Sequence, residues 1–131
     1  MTSFLNFKGL MKLTRPAPIT VSLAGTGQTT LYTVPVGKIM IPFAIGLVAG
    51  ADCGASVITF GRSTALTDFL AAQTLGNIDA AGDMAWLQPP PNATPVVLKT
   101  YAAGVIFQIN VTTALGGATN YVDLFGWLKD A

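Results

Sequence analysis

The chain contains no histidine, no glutamate and a single cysteine, and its six acidic residues are all aspartate. Charged residues make up 10% of its 131 positions, against roughly 25% in an ordinary soluble domain. These absences exclude a good deal. Zinc sites are built from clustered Cys and His, and the metal-binding jelly-roll enzymes need a His-rich ligand set. Serine and threonine are plentiful, but no histidine or obvious lysine base accompanies them as a nucleophile's partner. Asp79 and Asp83 are the nearest carboxylate pair for glycoside hydrolysis, and both fall in a segment where Asp commonly builds turns. Gly25-Thr26-Gly27 lacks the pattern of a phosphate or dinucleotide loop. The expectation is a non-enzymatic protein without metal or cofactor. Cys53, alone in the chain, forms no intrachain disulfide and reads as a small apolar residue near a turn.

What is present is apolar. Hydrophobic residues are 51% of the chain, and a domain of this size has little polar surface to spare for its exterior. The composition therefore implies that part of the surface is covered by other subunits. Seven basic and six acidic residues give a net charge of +1, too balanced for a coat on nucleic acid, which needs a basic face. Two uncharged stretches, Ile39 to Ala51 and Thr100 to Val122, are interrupted by Pro42, Gly46 and Gly50 in the first and by Gln108, Asn110 and Gly116-Gly117 in the second. They read as buried strands and turns, not as membrane spans of about 20 apolar residues. Nothing in the first 13 residues has the form of a secretory signal.

Residues 1–15 form a distinct segment, with Lys8, Lys12 and Arg15 and no acid. Phe4, Phe7 and Met11 fall at helical spacing beside Leu10, and Pro16 and Pro18 end the pattern. The expectation is an arm, extended or briefly helical, that docks on a neighbour through Phe4, Phe7, Lys8, Leu10, Met11 and Lys12; a disordered or locally packed N-terminus is the equal alternative. Residues 16–131 are expected to form one domain.

From Pro18 onward a two-residue period dominates. Strands are expected at Pro18 to Ala24, Thr29 to Val34, Ile39 to Leu47, Ser56 to Gly61, Met84 to Leu87, Pro95 to Tyr101, Val105 to Thr112 and Asn120 to Leu128. In the third, Ile39, Ile41, Phe43, Ile45 and Leu47 share one face, and Pro42, which has no amide proton, points to an edge or a bulge. Thr67 reads as the cap of a short helix over Asp68 to Leu75, closed by Gly76. About eight strands with Gly and Pro turns and one short helix make an all-β antiparallel sandwich, most simply a jelly roll.

The last strand carries a parity argument. A buried unpaired carboxylate is costly, so Asp123 faces out, and Tyr121, Phe125 and Trp127 face out with it. An aromatic stripe on an outer face marks a subunit interface; the alternative is a bulge near Gly126 that flips the strand and buries Trp127. Trp86, beside Pro89-Pro90-Pro91, reads as a further interface residue. It is also the residue a carbohydrate-binding module would use for stacking, although no dense set of polar side chains lies near it in sequence.

TTLYTVPVGK (residues 29–38), followed by a long apolar strand, and YAAGVIFQINVTTALGGATNYVDLFGWL (residues 101–128) resemble the small β-sandwich structural proteins of tailed bacteriophage virions, the capsid decoration or cement proteins among them. The resemblance spans roughly Ile19 to Leu128 and rests on a Tyr-x-Val-Pro-x-Gly-Lys hairpin and a Gly-rich turn between apolar strands. It implies a jelly-roll-like module without catalytic residues that assembles as a homo-oligomer, often a trimer. It also implies binding to the major capsid protein on the outer surface of the virion. A tail, baseplate or fibre subunit is the other member of the same class.

Overall fold

The computed structural model describes residues 9–131, so Phe4, Phe7 and Lys8 lie outside the described residues. Nine strands follow in order: β1 Met11–Lys12, β2 Ile19–Val21, β3 Gly27–Thr33, β4 Lys38–Val48, β5 Val57–Arg62, β6 Ala65–Thr74, β7 Met84–Leu87, β8 Ile106–Thr113 and β9 Asn120–Asp130. One sheet runs β1-β9-β4-β7, with β2 also paired to β9, and the other runs β3-β8-β5-β6. All the pairings are antiparallel. The eight strands from β2 to β9 thus face each other as β2-β9-β4-β7 over β3-β8-β5-β6, the strand order of a jelly roll.

The core lies between the sheets. Val122 and Leu124 of β9, Met40, Ile45 and Leu47 of β4 and Val21 of β2 meet Ile58 and Phe60 of β5 and Phe107, Ile109 and Val111 of β8. Phe107 packs edge-on against Phe69 and Tyr101, with centroids 5.6 and 5.7 Å away. Cys53 is buried at the margin of this core. Burial raises its thiol pKa first, with Asp52 and Asp83 adding to the effect.

Three expectations are corrected. There is no helix among the described residues. Asp68 to Leu75 belongs instead to β6 and the residue after it. Its pairing with β5 shifts register twice, between Ile58 and Phe60 and between Phe60 and Arg62, so the two-residue period is lost and Ala71-Ala72-Gln73 reads as helix on propensity alone. No strand covers Pro95 to Tyr101; only Tyr101 forms a bridge, to Met40. Finally, the odd-numbered residues of β4 do not share one face. A register shift between Pro42 and Ala44 turns the strand over, so Met40 faces the core before it and Ile45 and Leu47 after it. Pro42 is tolerated because it sits at this bulge. Opposite it, Gly126 leaves room: a Cβ there would lie 2.5 Å from the Ile41 carbonyl oxygen.

The Tyr32 to Lys38 turn carries the chain from β3 in one sheet to β4 in the other, so it is a crossover and not a hairpin within one sheet. Strand directions place loops 22–26, 49–56, 75–83 and 114–119 at one end of the sandwich. Loops 34–37, 63–64 and 88–105 gather toward the other.

Candidate functional site

The two outer faces differ sharply. Residues paired across neighbouring strands point to the same side of a sheet. On the β3-β8-β5-β6 sheet the rows Gln28–Asn110–Thr59 and Thr30–Gln108–Gly61 lie on the outer side, although Thr59 and Gly61 are buried there, and Gln108 donates to the Thr30 hydroxyl at 3.1 Å. That face is polar. On the β9-β4-β7 face the rows are Tyr121–Val48–Met84, Asp123–Gly46–Trp86 and Phe125–Ala44. Both tryptophans of the chain lie here.

The aromatic side chains pack in pairs on this face. Trp86 and Phe125 stand 5.2 Å apart at 48°, and Phe43 and Trp127 stand 5.4 Å apart edge to face. Gly46 lies under the first pair, and a Cβ on it would meet the Phe125 ring at 3.4 Å. Aromatic rings thus cover a glycine that has no side chain of its own to bury. Ala44 is fully buried although its register puts it on the outside. A shallow depression of about 210 Å³ opens between Met84, Trp86, Val48, Asp123 and Phe125.

The parity of β9 holds along its length. Burial alternates from Asn120 to Gly126, with Tyr121 exposed and Asp123 and Phe125 half-buried. Asp123 is reached by the Thr14 hydroxyl at 2.7 Å, and the Lys12 ammonium lies 4.0 Å away. The bulge opposite Gly126 is in β4, so β9 does not flip and Trp127 stays on the outer side with Phe43.

Of the six residues expected in a docking arm, three lie outside the described residues. Leu10 is exposed. Met11 pairs with Gly126 and packs on the core, which makes it part of the sandwich and not of a projecting arm. Lys12 pairs with Phe125 and therefore stands on the aromatic face. The helical spacing of this segment is not realised at Met11 and Lys12, which are extended.

A second cluster escaped the sequence reading. Asp68 accepts a hydrogen bond from the Tyr101 hydroxyl at 2.7 Å and lies 3.0 Å from the Arg62 guanidinium Nε. Burial raises the Tyr101 pKa well above its ordinary value, and the hydrogen bond to Asp68 and that carboxylate's charge push it further the same way. The neutral phenol is therefore bound more tightly in the folded chain than in the unfolded one. Its contribution is complete below pH ~10, where the unfolded phenol is still protonated, and is lost as pH rises beyond that value. Melting temperatures should show no pH dependence from this group near neutrality and should fall more steeply above pH ~10 for the native chain than for Tyr101→Phe. Equal slopes would remove Tyr101 as the source. The sequence signal was faint, since Asp68 and Tyr101 are far apart along the chain and only the fold joins them.

Among the described residues, no three Cys, His, Asp or Glu side chains gather as a metal group. The distinctive chemistry of the molecule is an aromatic outer face.

No protein-family model matches the chain, and no curated protein matches it. Among solved structures, a chain of the cyanophage Pam1 capsid asymmetric unit is similar to it, with a TM-score of 0.51 and 20% identity. The match covers 96% of this chain and 86% of that one. At that identity the likeness is one of fold.

Proposed function

We propose that this protein is a structural component of a bacteriophage virion, and within it a capsid decoration protein. Copies assemble into a closed homo-oligomer, threefold as the sequence resemblance implies, and bind the major capsid protein on the outer surface of the shell. The observation that carries the reading is the aromatic face of the β9-β4-β7 sheet on a chain with few charges. A surface holding Trp86, Phe125, Phe43 and Trp127 has the aromatic composition of an interface centre. The fold shared with a chain of a phage capsid supports the virion setting. With no histidine and no glutamate in the chain, the reading is of a protein that binds without catalysing. Binding of this kind stabilises the assembled lattice by mass action, because only the lattice presents the complete site, and several copies held together strengthen it.

The test is shell binding. Purified shells lacking the protein are mixed with the native chain or with Phe125→Lys, sedimented, and imaged by electron microscopy. The native chain is expected to co-sediment, to decorate the outside of the shell and to raise its resistance to heat. Phe125→Lys is expected to stay folded by circular dichroism, since Phe125 faces outward, and to lose at least about tenfold in binding. Native protein that stays in the supernatant, or density only at a tail, would overturn the decoration reading.

A further inference from the structure

Residues 88–100 connect β7 to the Tyr101 bridge as a strap. Every one of them is exposed, and none of their backbone groups bonds to another backbone group among the described residues. Both ends of the strap are held. Trp86 Nε1 donates to Gln88 Oε1 at 3.3 Å. Tyr101 exchanges backbone hydrogen bonds of 2.8 and 2.9 Å with Met40 and donates its hydroxyl to Asp68. Between these anchors the strap stands off the body over a cleft of about 450 Å³ whose other walls include Pro42, Phe43 and Phe69. Connections this long without secondary structure are uncommon in compact domains and usually serve binding.

The middle of the strap has the composition of a strand. Val96, Val97 and Leu98 stand between Pro95 and Lys99, and they are 67%, 95% and 52% exposed. Successive side chains of an extended segment point to opposite sides, so both sides of this one are apolar and wet. Exposed apolar strand sequence without a partner strand is what natural proteins normally avoid.

The same molecule carries the complement. β7 ends its sheet, and among the described residues no strand pairs with its outer edge. Its outward side chains, Met84 and Trp86, are 72% and 54% exposed. The turn that leads into it holds Asp79 and Asp83. Charge is divided along the sandwich: the loops at the β7 turn end contain Asp52, Asp79 and Asp83 and no base. Lys99, on the strap at the other end, forms no ion pair among the described residues.

We propose that Pro95–Lys99 of one copy adds as an antiparallel strand to the free edge of β7 in a second copy of this chain. In that direction Val97 lies opposite Trp86, and Lys99 lies opposite Met84, beside the acidic turn. Val96 and Leu98 then meet Leu87 and Ala85 at the margin of the sandwich. Main-chain hydrogen bonds supply affinity and the alternating side chains supply register. Each copy gives one strap and receives one, so the contact closes into a ring when the rotation between copies allows it. The inference rests on the self-association in the reading above and names the segment that makes it; it does not depend on the shell.

The full chain, Val97→Asp and Lys99→Glu are compared by sedimentation equilibrium and thermal melting. The native chain is expected to be oligomeric. Val97→Asp is expected to melt as the native monomer unit does, since Val97 is almost wholly exposed, yet to associate about tenfold more weakly or worse. Lys99→Glu should be weakened less and lose its difference from native at high salt. The register is read by mixing Lys99→Cys chains with Met84→Cys chains under mild oxidation. A disulfide between unlike chains is expected, and none when Lys99→Cys is mixed with Thr112→Cys on the polar face. Val97→Asp with the native mass, or cross-linking no greater than that control, overturns the strap while leaving self-association intact. A native chain that is monomeric at every concentration overturns the oligomer as well.

Discussion

Phe107→Ala should lower the melting temperature by roughly 10–20 °C, among the largest effects expected of a single core substitution in this fold. Phe107 is fully buried. It pairs with Arg62 on β5 and Tyr32 on β3, and its ring meets Phe69 and Tyr101 at interplanar angles of 71°. Truncating a buried Phe removes its transfer free energy and leaves a cavity, together about 3–5 kcal/mol. Domains of this size are stabilised by about 5–15 kcal/mol in all, so the loss takes a large share. It also removes the packing surface under Tyr101, the residue that holds one end of the strap. Ile106→Ala, next in the chain but directed outward, should cost less than about 1 kcal/mol. Thermal melts of the two variants side by side check both the burial of β8 and its parity, and equal losses would contradict the alternation.

The sequence exposed those parts of the fold in which alternation runs unbroken. β9 was legible to its inner and outer faces because one carboxylate, Asp123, set the parity and no bulge intervenes along that strand. Met84–Leu87 was legible to the residue. β4 was legible as a strand but not as a face, because the bulge at Pro42 exchanges its two sides, and a proline announces a bulge without saying which residue it turns over. β6 was hidden by two register shifts and by helix-forming residues, and only pairing with β5 makes it a strand. Pro95 to Tyr101 failed for the opposite reason. Its composition is that of a strand, but a strand is defined by a neighbour, and the described residues of one copy supply none. The outer aromatic face followed in part: Tyr121, Phe125, Trp127 and Trp86 could be named from the chain. Phe43 and Met84 join them only through the register of β4 with its neighbours.

Removing residues 1–15 should destabilise the domain by more than about 3 kcal/mol beyond whatever removal of residues 1–8 does. The reason lies in Met11 to Thr14. Leu13 is buried in the core, and its amide donates to the Leu124 carbonyl at 2.7 Å. The Thr14 hydroxyl donates to Asp123 and accepts from the Leu124 amide at 3.1 Å, so one side chain both satisfies the carboxylate that fixes β9 and closes the strand's edge. Without these residues β9 would present an open, apolar edge, a template for aggregation. A failure of the longer truncation to bind shells would therefore report unfolding and say nothing about docking. The shorter truncation separates the two. If Phe4, Phe7 and Lys8 dock on the lattice, the chain without residues 1–8 keeps the native circular dichroism and loses shell binding in the sedimentation assay. If it binds shells undiminished, docking falls to the aromatic face alone. If the longer truncation melts as the native chain does, the part assigned to Leu13 and Thr14 is wrong.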